Sequence, residues 1–283
     1  MKIRKIKEFK RNRKENEMNV MSRLFAAAAV AALFAGCATV TRPAYDTLVA
    51  RGGEASDAPK NTMAAFRLAI ERGFGFVCEV APSNDGRVVA FQDGTEGSPA
   101  PLEDVLELAR SGRPIYLRVK GGAEIVPAIK SAMAAQPAAT PGNVLFQSFC
   151  PDCCKALKEA MPDYKVILLS KLEGVASAGD LVSKAREAGA DGVGVRFDAD
   201  LVNEEFVAAV KGEGLSFNVW TLDELPLVLR AFAVGADTVT TNCAKQMFDE
   251  YCALYAPEMQ SHSEFEERMP DGAAFPSAQV HGF

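Results

Sequence analysis

The sequence predicts a closed parallel (β/α)8 barrel in a single domain, and three observations carry that expectation. Short β-branched and apolar runs alternate eight times with amphipathic segments. The runs are continuously apolar rather than alternating, as strands covered on both faces must be. No long structureless gap separates one unit from the next. The chain has 283 residues, and barrels of this kind take about 250 as one domain.

In order, the strand candidates lie at 47–50, 75–80, 115–120, 144–148, 166–169, 192–195, 216–220 and 238–241. Helical patterns follow them at 61–72, 102–110, 123–135, 153–160, 178–188, 204–211, 224–233 and 245–253. An extra strand at 87–91 follows Asn84-Asp85-Gly86, a hairpin turn signal. It therefore decorates the loop after the second barrel strand. In such a barrel the functional residues stand at the C-terminal ends of the strands. That places Arg51, Glu79, Arg118, Lys120, Gln147-Ser148, Trp220 and Thr241-Asn242 at the mouth.

Composition is that of an ordinary globular protein, 48% hydrophobic and 24% charged with mean hydropathy near zero. A chain this long buries a core without needing a disulfide or a metal. The first 36 residues read differently from the rest. A basic stretch from Met1 to Arg23 precedes an apolar run, Leu24 to Phe34, and then Ala35, Gly36 and Cys37. A positive lead, a short apolar run and small residues describe a signal peptide; the run is too short to span a bilayer. Met18 and Met21 are alternative starts to Met1. Residues 37–283 then carry 22 Lys/Arg against 34 Asp/Glu, which argues against a nucleic-acid partner. The expected organisation is a signal peptide at 1–36, a linker at 37–45, the barrel at 46–256 and a poorly ordered tail at 257–283.

Six cysteines follow Cys37, and an even number permits disulfides in an oxidising compartment. Cys78 and Cys243 sit in strand-like runs, where Cys behaves as a small hydrophobe. Cys150-Pro-Asp-Cys153-Cys154 has the look of a redox or zinc motif, with a packed helix N-terminus as the alternative; no second cluster completes a metal site.

Two resemblances add to this. Leu33-Phe34-Ala35-Gly36-Cys37 resembles the bacterial lipobox, which implies lipidation of Cys37, export and anchoring to a membrane. Ala50-Arg51-Gly52-Gly53, Pro59-Lys60-Asn61-Thr62, Asp85-Gly86, Phe91-Gln92-Asp93, Pro101-Leu102-Glu103-Asp104, Leu117-Arg118-Val119-Lys120 and Trp220-Thr221 recur in one order. Together they resemble the glycerophosphodiester phosphodiesterases, whose fold is a PLC-like phosphodiesterase TIM barrel acting as a phosphoric diester hydrolase in lipid metabolism. That resemblance implies two histidines as general acid and base, at the positions of Ala50 and Gln92. It implies a divalent cation, Ca or Mg, at the positions of Val77, Glu79 and Arg118. Neither Ala50 nor Gln92 transfers a proton near neutral pH. The chain's two histidines, His262 and His281, lie in the tail. A hard cation needs several oxygens, so no metal cofactor is expected. Arg51, Asn61, Glu79, Asp93, Lys120 and Trp220 persist at matching positions and, with Arg118, make a vestigial ligand-binding set. Three functions follow as alternatives: an inactive lipoprotein that binds a phosphorylated or anionic ligand, a hydrolase with a histidine-free mechanism, or a structural envelope lipoprotein.

Overall fold

The computed structural model describes residues 47–91 and 99–254. Residues 1–46 with Cys37, which carry the expected signal peptide, the Gln92-Asp93 pair and residues 255–283 with both histidines lie outside the described residues. Eight parallel strands close on themselves: β1 (Leu48–Arg51), β2 (Gly75–Pro82), β4 (Ile115–Val119), β5 (Val144–Ser148), β6 (Val166–Ser170), β7 (Gly192–Arg196), β8 (Ser216–Trp220) and β9 (Thr238–Thr241). Closure is made by β1, which pairs in parallel with both β2 and β9. The short β3 (Val88–Ala90) runs antiparallel to β2, as the turn at Asn84-Asp85-Gly86 requires. The fold is thus the expected (β/α)8 barrel.

Helices α1 (Met63–Glu71), α2 (Leu102–Glu107), α3 (Val126–Ala135), α4 (Pro151–Ala160), α5 (Ala178–Glu187), α6 (Glu204–Gly212), α7 (Leu225–Ala233) and α8 (244–254 among the described residues) wrap the outside. None of these is long and apolar enough to cross a membrane. Two shifts from the sequence expectation matter. The first helix starts at Met63, not at 61, because Thr62 caps it by accepting from the Ala65 N–H. Asn61 precedes the cap with φ +60°, outside any helix. At the other end, α2 tightens into a 3-10 turn over Leu108–Ser111.

Apolar side chains form two layers. The larger lies between strands and helices and includes Phe66 stacked on Phe76 at 4.5 Å. The smaller fills the barrel with Val49, Val77, Tyr116, Ile167 and Leu169, against which Leu145 and Trp220 pack. A fully buried Phe or Leu stabilises by about 1.5–3 kcal/mol, so these layers hold the strand ends rigidly in register. The chain turns sharply out of β1 at Gly52 and Gly53, both with positive φ. A Cβ at Gly53 would overlap the backbone of Ala65, so that turn admits glycine only. Glu54, fully buried, then ties the loop down by accepting from Ser56 and from the Lys245 N–H at the start of α8.

Candidate ligand site at the barrel mouth

Period-two alternation decides which strand-end residues meet. Glu79 is paired in register with Arg118, and Arg118 with Gln147, so the three share one face of the sheet. Their neighbours on that face include Val77 and Tyr116 of the barrel interior. The mouth is therefore an inward ring on top of an apolar plug. Glu79 is its centre. Arg118 donates from NH1 to Glu79 Oε1 at 3.2 Å, Lys120 Nζ stands 3.1 Å from Oε2, and Arg51 NH2 stands 3.6 Å from Oε1. Lys60 adds a fourth cation from the β1 loop, its stem lying against Gly52 where a Cβ would collide with it.

Crowding one carboxylate among cations shifts Glu79, Arg118 and Lys60. Burial alone would raise the Glu79 carboxyl, but Arg118, Lys120 and Lys60 outweigh it and hold it below the usual carboxylate range. Burial pulls the Arg118 guanidinium below its ordinary value, with Glu79 opposing. Lys60 is lowered by burial and then by Arg51, and Glu79 again opposes. Two buried donors, Arg51 Nε and Arg118 Nε, and one buried acceptor, Gln147 Oε1, have no hydrogen-bond partner among the described residues. Unpaired buried polar atoms are costly; here they belong to the C-terminal ends of β1, β4 and β5.

Residues around the ring hold it in place. Asn61 is 3% exposed and spends its amide on backbone: it donates to Glu79 O at 2.8 Å and to Phe91 O, and accepts from the Glu79 N–H at 2.9 Å. It therefore positions Glu79, whereas the sequence placed it among ligand contacts. Trp220 donates from Nε1 to Gly194 O at 2.8 Å, and its ring lies 5.8 Å from the Arg118 guanidinium. Phe149 packs edge-on against Trp220 at 5.5 Å and is 44% exposed, giving the rim an apolar lip. Lys120 sits over Phe91 at 3.9 Å. Arg51 also approaches Asn242 Oδ1 at 3.5 Å, and Asp223 fixes Asn242 through its N–H at 2.7 Å and its side-chain amide at 2.6 Å. Asp223 and Phe149 were not foreseen. Each follows a strand end by a residue or more in a loop without a motif, and strand-end position was the signal that pointed nearest to them.

The positions that the resemblance gives to chemistry are filled otherwise. Ala50 is fully buried in the layer between strands and helices. Val77 is fully buried in the barrel interior. Arg118 occupies the place of a cation ligand and pairs with Glu79. A donor set of one carboxylate already shared by guanidinium and ammonium groups does not fit a hard cation. Among the described residues, no three His, Cys, Asp or Glu side chains converge as metal ligands would.

Solved structures share this architecture. A phosphodiesterase of Oleispira antarctica, in complex with the product sn-glycerol-3-phosphate, superposes with a TM-score of 0.63 at 19% identity, over 71% of this chain and 94% of its own. A glycerophosphodiester phosphodiesterase of Parabacteroides distasonis gives 0.62 at 18%, over 75% and 98%. Its counterpart from Thermotoga maritima gives 0.58 at 21%, over 72% and 97%. At these identities the likeness establishes the fold: a (β/α)8 barrel of the kind these phosphodiesterases have. No curated protein matches the chain in sequence. Residues 111–245 match the family model for the glycerophosphoryl diester phosphodiesterase family.

Proposed function

We propose that this barrel binds a phosphorylated or otherwise anionic small molecule at its mouth without hydrolysing it, in an exported lipoprotein anchored through Cys37. The observation that carries the reading is the ring of Arg51, Lys60, Arg118 and Lys120 around the carboxylate of Glu79, with two guanidinium Nε groups unpaired among the described residues. Guanidinium forks match phosphate and carboxylate geometry, and buried charge-assisted bonds to them are strong. The anion would replace or share Glu79 as the partner of Arg51 and Lys120. Trp220 and Phe149 would cover its organic part.

Catalysis is a separate matter from binding, because function lies in the site and not in the fold. Against it stand Ala50 and Gln92 where proton transfer would be needed, and the absence of histidine from residues 46–256. Without a cation, no step is left that polarises the phosphoryl group except the cationic ring itself.

Calorimetric titration with sn-glycerol 3-phosphate and with inorganic phosphate tests the reading. Binding should appear without added Ca or Mg, and Arg51→Ala should weaken it by roughly 10- to 150-fold, the equivalent of losing about 1.5–3 kcal/mol of charged hydrogen bonding. Absence of binding at millimolar ligand would leave a structural envelope role instead. The anchor has its own check: fatty-acid labelling of the exported chain should vanish in Cys37→Ser, and labelling that persists would contradict it.

A further inference from the structure

Three cysteines cluster where β5 leads into α4, beside the rim but outside the charged ring. Cys150 is the N-cap of α4 and Cys153 its third helical residue, with Pro151 and Asp152 between them. The Cys150 backbone is extended, φ −90° and ψ 113°. An N-cap residue in that conformation carries its side chain back over the first turn, which is how Ser or Asp caps reach the third residue. Pro151 fixes the first helical φ and lacks an N–H that would go unused.

The two thiols differ in access. Cys150 is partly exposed, while Cys153 is fully buried. Ser148 fixes the start of the helix: its Oγ accepts from the Cys150 N–H at 3.2 Å and donates to the Val119 carbonyl at 3.3 Å. Burial pushes the Cys153 thiol up to about 11, with Ser148 opposing, so Cys153 does not compete as a free nucleophile. The third thiol is held differently. Cys154 donates to the Ser148 carbonyl at 3.7 Å and packs in the core. Cys78, Cys243 and Cys252 belong to other elements. A zinc site is ruled out as the reason for the cluster, since no three potential ligands converge among the described residues.

We propose that Cys150 and Cys153 form a thiol–disulfide exchange site that reacts with small disulfides of the glutathione type. The Cys150 thiolate attacks one sulfur of the small disulfide, breaking its S–S bond and releasing one thiolate. The mixed disulfide so formed stands on the N-cap residue, at the start of the turn that carries Cys153. Cys153 then attacks that sulfur and expels the second small thiolate, which takes up the Cys153 proton. Two protein thiols are oxidised to one disulfide, and one small disulfide is reduced to two thiols. The site is independent of the anion-binding reading of the mouth, and a failure of either leaves the other standing.

The test uses the full chain with oxidised glutathione under native conditions, followed by differential alkylation and mass spectrometry. The expected product is a Cys150–Cys153 disulfide with no retained glutathione. Cys153→Ser should hold one glutathione on Cys150, and Cys154→Ser should still form the Cys150–Cys153 bond. Cys150→Ser, at the partly exposed position, should abolish reaction with an unchanged circular dichroism spectrum. Cys78, fully buried, should resist alkylation throughout and so report that the fold is intact. An unreactive Cys150, a glutathione that stays on Cys150 in the wild-type chain, or a bond to Cys154 would overturn the proposal.

Discussion

Glu79→Gln is expected to lower folding stability by about 3–5 kcal/mol and, in the same protein, to strengthen phosphate binding. The cost follows from burial. Arg118 has a side chain only 6% exposed, and Glu79 is its anionic partner at 3.2 Å. Removing one member of a buried pair leaves the other charge uncompensated, which typically costs that much. Lys120, at 41% exposed, contributes little to the loss because solvent screens it. The gain follows from competition: Glu79 now occupies the guanidinium and ammonium groups that an anion would use. Denaturant unfolding with and without phosphate measures both effects, and phosphate should protect the variant more than the wild type. A stability change below about 1 kcal/mol would mean that Arg118 is not buried as a charge.

The same pair sets a pH dependence. The folded-state pKa of Glu79 is depressed, so its stabilisation is complete above the unfolded carboxylate value of about 4.3. It is lost as pH falls through the lower folded value. Wild-type stability should therefore fall more steeply below about pH 4 than that of Glu79→Gln.

Asn61→Ala is expected to be the second most damaging change, at about 2–5 kcal/mol. Its amide satisfies the Glu79 N–H, the Glu79 carbonyl and the Phe91 carbonyl, and each buried group left unpaired costs about 1–3 kcal/mol. Alanine also suffers from the left-handed backbone at φ +60°, a strain of about 1–2 kcal/mol that glycine avoids. Asn61→Gly should therefore be less damaging than Asn61→Ala by roughly that amount, and chemical denaturation of the two separates lost hydrogen bonds from backbone strain. Equal losses would remove the strain argument.

These residues also show what could be read without coordinates. Short runs rich in apolar and β-branched residues marked all eight barrel strands, and the turn at Asn84-Asp85-Gly86 marked β3. Ends were less legible: β1 extends through Arg51 and β2 through Pro82, since hydrogen bonding continues past the last apolar residue. The convergence of Arg51, Glu79, Arg118 and Lys120 followed from strand-end position and period-two alternation. Asn61 stands in the ligand set by its match to the family motif, and a motif match gives no hint that its amide is consumed by neighbouring backbone. Asp223 acts through Asn242 across two different loops, a relation that depends on tertiary proximity and has no local pattern. Cys150 and Cys153 were visible as a motif, but only the contrast in burial between them separates an exchange site from a packed helix start.

The charge reversal at Arg118 carries the account. A guanidinium takes the place that the family resemblance gives to a cation ligand and pairs with Glu79, and the proposed function rests on that pair leaving no carboxylate for a metal. Phosphorus NMR of glycerophosphocholine mixed with the full chain, with and without Ca or Mg, tests this most directly. The account predicts a broadened or shifted diester resonance, insensitive to the cation, with no phosphomonoester signal growing in over time. A phosphomonoester resonance that appears on adding Ca or Mg would contradict it.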